Sequence, residues 1–307
     1  MKWLRLLLPL VLIGACLYLA DGQDVWRRLS ALSPGWMLVT LVLLNAVTLL
    51  SAVRWRVTAA SLGLAMPWWD AVREYYLAQF VNQTLPGGVV GDAARAARNR
   101  KGGSLGRAAQ GVVLERAAGQ AGMAAVLLAG LVGLVLRPSD DLTISRLPAG
   151  ALLPLGALAL MLAALAALVF ARAGRPTGWR AAARDALLRR LPVQAALSLA
   201  IAVLIVGAFV TAARASGSAL PPATAALIVP LILTAMLLPA SVAGWGWREG
   251  AAAALFPLAG LGAEAGLAAS IAFGIAALIA ALPGAFFLQR GPQHAKPAAA
   301  GIATPHE

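Results

Sequence analysis

Two stretches of this 307-residue chain set ionisable side chains beside helix breakers, inside otherwise apolar sequence. The first runs Tyr75-Tyr76-Leu77-Ala78-Gln79-Phe80-Val81-Asn82-Gln83-Thr84-Leu85-Pro86-Gly87-Gly88-Val89-Val90-Gly91-Asp92, with Arg95 close behind. The second runs Leu238-Pro239-Ala240-Ser241-Val242-Ala243-Gly244-Trp245-Gly246-Trp247-Arg248-Glu249. A guanidinium can grip phosphate or carboxylate through two parallel contacts, and a carboxylate can hold that guanidinium, bind a cation or move a proton. Ionisable and helix-breaking residues are expensive in hydrocarbon, so their clustering marks where function is to be sought. Pro86 lacks a backbone donor, and Gly87, Gly88 and Gly91 reach backbone angles closed to other residues. A helix entering at Tyr75 is therefore expected to unwind near Leu85. Unwound backbone at membrane depth survives only inside protein or along a wet cavity, which Gln79, Asn82, Gln83 and Thr84 are suited to line. The second stretch repeats the pattern weakly: Leu-Pro, then small residues including Ser241, then Arg248 and Glu249. Paired interruptions in the two halves of a chain are a pointer to a transport-type site.

Other charged and aromatic positions have plainer readings. Arg54-Trp55-Arg56 closes an apolar run and reads as an interfacial anchor, as do Trp68 and Trp69. Glu115-Arg116 opens another run, as a local ion pair or as part of a cavity lining. Gly130 and Gly133 suit helix packing. His294 and His306 form no metal set. There is no nucleotide-binding loop, no nucleophile elbow and no Cys/His cluster, so no cofactor is expected.

The elements that must carry these residues follow from composition. Hydrophobic residues make up 61% of the chain and charged ones 12%, with a mean hydropathy of +0.81. Soluble domains are about 25% charged, so a soluble enzyme, a disordered regulator and a disulfide scaffold are excluded. The expected fold is all-α: a polytopic membrane bundle of about eight spans with re-entrant half-helices. Apolar runs long enough to cross lie at 4–20, 35–53, 117–136, 149–171, 193–213, 223–243 and 266–288, without the alternation of a barrel strand. Two shorter pieces are irregular. Residues 71–90 are expected to enter and leave on one side, and 251–263, with Pro257 inside, to cross. Lys2 and Arg5 before an apolar run imitate a signal peptide, and Ile13-Gly14-Ala15-Cys16 imitates a lipoprotein box. Ile13 replaces the usual Leu and the run continues to Ala20, so an uncleaved first span is expected. A single domain over 1–290 and a disordered tail over 291–307 complete the plan.

The net charge of +13, from 25 basic and 12 acidic residues, falls between the spans. It therefore indicates positive-inside loops and anionic headgroups rather than nucleic acid. The stretches 92–116 and 172–190 are strongly basic and are placed in the cytoplasm, with both termini. Arg27 and Arg28 are a mild exception on the outer side.

Arg54-Trp55, Tyr75-Tyr76, Asn82, Leu85-Pro86-Gly87-Gly88 through Gly91-Asp92 and Arg95, and Glu115-Arg116 with Gly119 resemble the lysylphosphatidylglycerol synthase transmembrane-region family. Pro239, Gly244, Gly246 and Arg248-Glu249 resemble its second motif, and the likeness covers roughly residues 35–290. Trp245 and Trp247 depart from it, standing where smaller residues are usual. The family includes the flippase half of the bacterial multiple peptide resistance factor. The resemblance implies a bacterial cytoplasmic (inner) membrane domain that moves a phospholipid or polyprenyl-linked lipid, with a phosphate headgroup, between leaflets through a polar cavity lined by the two broken-helix motifs. Arg54, Arg95 and Arg248 would then attract phosphate, and Asp92 and Glu249 would hold those arginines or meet a cationic headgroup. No aminoacyl-transfer domain follows the last span, so synthase activity is not expected to carry over. Two alternatives remain: a membrane-embedded lipid or glycosyl transferase using Asp92, Glu115 or Glu249, and a non-transporting subunit docking an envelope-synthesis enzyme through 172–190. A homo-oligomer fits either.

Overall fold

Asp21 accepts hydrogen bonds from the backbone N–H groups of Gln23 and Asp24, which caps α1 (Gly22–Ser30). The computed structural model describes residues 14, 18, 21–85, 90–99, 105–136, 178–237 and 243–289, and every regular element among them is helical. After α1 come α2 (Pro34–Ser61), α3 (Trp68–Thr84), α4 (Val90–Arg98) and α5 (Leu105–Leu136). A short α6 (Gly178–Ala183) leads through a π-helical turn into α7 (Leu191–Ala215). The chain ends its described part with α8 (Pro222–Thr234), α9 (Trp247–Leu255), α10 (Ala263–Ala281) and α11 (Pro283–Gln289). Proline opens α2, α7 and α8 within their first two positions, where its missing N–H has no helical partner to lose. Four described segments are long and apolar enough to cross a membrane: α2, α5, α7, and α10 continuing into α11. The all-α polytopic fold is therefore observed. The expected span at 149–171 and the tail at 291–307 lie outside the described residues, as does the span at 4–20 apart from the helical residues 14 and 18.

The second half corrects the expected spans. Within 223–243 the described helix, α8, has only 13 residues and gives way to a tighter turn through Leu237. The 251–263 stretch does not cross by itself. Gly246, at φ 89°, turns the chain into the nine-residue α9, and Pro257 followed by Gly260 at φ 70° ends it. Nine helical residues reach about 14 Å, half of a hydrocarbon core of about 30 Å. Neither stretch holds a described helix long enough to cross by itself, so the count of eight is not confirmed.

Cross-helix bonds give the relative directions. The Ser33 N–H donates to the Ala215 carbonyl at 2.9 Å, Thr40 meets Thr211 at 2.8 Å, and Gln194 donates to Thr58 at 2.8 Å. The start of α2 thus meets the end of α7, so these two helices are antiparallel. At the Thr58–Gln194 end, α3 and α4 form a hairpin: Gly91 N–H donates to Asn82 Oδ1 at 2.8 Å, and Arg98 returns to Glu74 at 2.6 Å. The α8–α9 hairpin opens at the other end, where α10 begins against Val25 of α1 and Arg28 of α1 reaches Ser218 beyond α7.

Each half is a long span, a half-helix, a break, a nine-residue helix and another long span. Leu85, Pro86, Gly91 and Arg95 are matched in one ungapped register by Leu238, Pro239, Gly244 and Arg248. The two halves form an inverted repeat. Within the second half the core gathers around Phe209, which lies tilted against Phe273 at 5.3 Å and edge-on to Phe256 at 6.4 Å between ring centroids.

Candidate functional site

The first hairpin closes because Gly91 has no side chain. A Cβ there would lie 2.0 Å from the Ala78 carbonyl oxygen. As expected, α3 stops at Thr84, and Leu85 is extended at φ −105°, ψ 146°. Asn82 bonds the Gly91 N–H and also donates to Asp92 Oδ2 at 3.2 Å, which holds the first turn of α4 beside the last turn of α3. Arg95, one turn along α4, donates Nη2 to Asp92 Oδ1 at 3.0 Å and to Glu115 Oε2 at 3.3 Å. Its guanidinium stands 4.5 Å from the Trp55 ring centroid and 4.6 Å from that of Tyr75.

Glu115, fully buried on α5, also receives Arg54 of α2 through Nε at 3.1 Å and Nη2 at 2.6 Å. Arg54 Nη1 continues to Ser198 on α7 at 3.3 Å. Gly119, one turn beyond Glu115, leaves room for this fork, since a Cβ there would lie 3.0 Å from Arg54 Nη2. Arg116 pairs with Asp92 and keeps half of its side chain exposed. Three guanidinium groups and two carboxylates, brought from α2, α4 and α5, thus form one network. A buried charge persists only when paired, and each charge of this network has an opposite partner, although Arg95 Nε and Nη1 keep no acceptor.

One plain reading from sequence is corrected here, and one open alternative is decided. Arg54 and Trp55 are not an interfacial anchor, since they are only 4% and 1% exposed; Glu115 and the Arg95 guanidinium draw them inside. Glu115 and Arg116 do not pair with each other. Arg54 and Arg95 take Glu115 while Asp92 takes Arg116, and Glu115 and Arg116 both line the cavity.

A cavity of about 420 Å³ lies between the two halves. Arg54, Asp92, Glu115 and Arg116 line it on one side, with Gln79, Asn82 and Gln83 of α3. The other wall, from the second half, is largely apolar and includes Ile201, Ile205, Leu233 and Phe273. Ser51 and Gln120 also line the cavity and were not singled out from sequence. Both were within reach, standing three residues before Arg54 and four after Arg116, where a helix repeats a face. Thr84 instead folds back on the Phe80 carbonyl at 2.9 Å.

Other candidates stand away from the cavity wall. Tyr76 donates to Asn45 at 2.7 Å, and Arg95 lies behind Asp92 and Glu115. Arg248 and Glu249 form a second buried pair, through Nη2–Oε1 at 2.5 Å, and share Ser270 of α10 at 2.9 and 3.0 Å. Glu249 also accepts the Gly246 N–H at 2.7 Å, capping α9. The Arg248 guanidinium sits 5.0 Å from the Trp245 ring, against Gly274, where a Cβ would lie 2.3 Å from Arg248 Nη2. This pair reaches the cavity only through its neighbours Ala243, Gly244 and Phe273. Pro86, Gly87, Gly88 and Ser241 lie outside the described residues.

No curated protein matches the chain. A family model described as lysylphosphatidylglycerol synthase TM region matches residues 3–284, nearly its whole length. With that match over a helical, multi-pass membrane fold, the chain belongs to the lysylphosphatidylglycerol synthase transmembrane-region family.

Proposed function

We propose that this protein translocates a phospholipid between leaflets through the cavity between its two halves. The observation that carries this reading is the two-faced wall of that cavity: ionic and amide groups from α2–α5 oppose apolar side chains from α7, α8 and α10. A lipid headgroup leaving water needs polar groups to replace its hydration, while its glycerol and first methylenes need apolar surface. Half-helices that enter from opposite ends and bring their last turns to one cavity, as α3 and α8 do, are the elements that rock in alternating-access transport. A transferase would need a free acid or base. The candidate carboxylates Asp92, Glu115 and Glu249 are each already bound by arginine, which favours a carrier over an enzyme.

The test uses purified protein in liposomes carrying a trace of phospholipid labelled with a fluorophore on its acyl chain. A membrane-impermeant reductant bleaches the outer leaflet. Bleaching beyond the outer-leaflet share, reduced to the protein-free level by Gly91→Ala, whose added Cβ would drive the α3–α4 hairpin apart, is expected. Bleaching that stops at the outer leaflet for anionic, zwitterionic and cationic lipids alike would end this reading.

A further inference from the structure

The charges around the cavity do not balance, and the imbalance has a sign. Among the described residues, Arg54, Arg95 and Arg116 face only Asp92 and Glu115; the four charges on the cavity wall sum to zero, and Arg95 behind it leaves the network one positive charge in excess. The carboxylate oxygens are already taken. Glu115 Oε1 accepts Arg54 and Tyr75, and Oε2 accepts Arg95. Asp92 Oδ1 accepts Arg95, while Oδ2 accepts Asn82 and Arg116. Donors are left over, because Arg95 Nε and Nη1 are buried without an acceptor and Arg116 leaves half of its side chain open beside the cavity. The neighbouring charge pairs do not alter the sum: Arg98 is matched by Glu74, and Arg248 by Glu249.

We propose that the cavity selects lipids whose headgroup is a net-anionic phosphodiester and rejects those made cationic by an attached amino acid. This rests on the translocation reading above and names its substrate class. In a poorly screened cavity an uncompensated cation attracts one anion and repels a second cation. A phosphodiester monoanion restores neutrality and takes the idle Arg116 donors in a two-point contact. The cavity amides Gln79, Gln83 and Gln120 then face uncharged hydroxyls. An ammonium group would meet no free carboxylate oxygen and would stand among three guanidinium groups. The family is named for an aminoacylated lipid, and this cavity has the wrong sign for it.

The experiment compares three acyl-labelled lipids in the same liposome assay: phosphatidylglycerol, phosphatidylethanolamine and lysyl-phosphatidylglycerol. The expected result is translocation of the anionic lipid on the order of tenfold faster than the cationic one, with the zwitterion between. Arg116→Gln neutralises the network and should bring the three rates together. Arg116→Glu should reverse the order, and if it fails to fold, Arg116→Gln alone carries the comparison. Equal rates for the three lipids in the unmodified protein, or a faster cationic lipid, overturn this assignment while leaving translocation standing. No transport of any of them defeats translocation and this assignment together. Vesicles loaded with glycerophosphoglycerol, the same headgroup without tails, separate the two sources of that chemistry. Protein-dependent release of that solute would reassign the cavity to a soluble phosphodiester.

Discussion

Glu115 is the residue on which most of the first network depends, since it binds Arg54, Arg95 and Tyr75 at once. Glu115→Ala would leave two buried guanidinium groups short of an anion. Removing one partner of a buried pair costs about 3–5 kcal/mol, so a large drop in thermal midpoint in detergent is expected. Arg98→Ala breaks a partly exposed pair with Glu74 and should cost no more than about 1 kcal/mol. Comparable losses for the two variants would mean that the buried network does not stabilise the fold. Asp92, Arg95, Glu115 and Arg116 were legible as candidates because charge is rare inside apolar sequence. Their pairing was not. Arg54 and Glu115 meet across two spans and a hairpin, and nothing local in α2 distinguishes an inward arginine from one reaching for the interface.

Helix pairs depend on close backbone contacts that few residues allow. Gly91 lets α4 lie against Ala78 of α3, with no room for a Cβ because the obstacle is backbone oxygen. Gly91→Ala is expected to splay this hairpin, break the Asn82 and Asp92 bonds and abolish translocation. Gly133→Ala on α5 meets nothing within 4 Å and should be neutral or stabilising by up to about 1 kcal/mol, the usual helix gain over glycine. Measured together in the liposome assay and by thermal unfolding, retained activity in Gly91→Ala would show that the hairpin is not part of the path. The first break was legible because proline and three glycines interrupt a polar helix. The second reads as two crossings, since α8 and α9 with their flanks are as apolar as full spans. What stops them is backbone: Gly244 and Gly246 at φ 78° and 89°, and Ala243 at φ 51°, a conformation costing a non-glycine residue roughly 1–2 kcal/mol.

At the scale of the whole chain, composition gave the all-α membrane class outright, while the inverted arrangement needed the cross-helix bonds between α2 and α7. That arrangement divides labour unequally. The first half contributes every charge on the cavity wall, whereas the second answers with apolar side chains and keeps its own arginine tied to Glu249 and Ser270. Taking α8 and α9 as a re-entrant pair in place of two expected crossings leaves the parity of the chain unchanged, so the basic stretches still share one face. The geometry makes a strict prediction about sides. The α2–α3 turn and the start of α7 belong to one face, and the α1–α2 turn and the α7–α8 turn to the other. After Cys16→Ala, single cysteines at the exposed positions Ala65 and Arg189 should react with an impermeant maleimide from the same side. Cysteines at Ala31 and Ala219, also exposed, should react only from the opposite side. The positive-inside bias assigns the Ala65–Arg189 face to the cytoplasm, so in intact cells Ala31 and Ala219 are the positions expected to label. Labelling of Ala65 together with Ala219 would place both hairpins on one face and remove the inverted repeat, and with it the physical basis for alternating access.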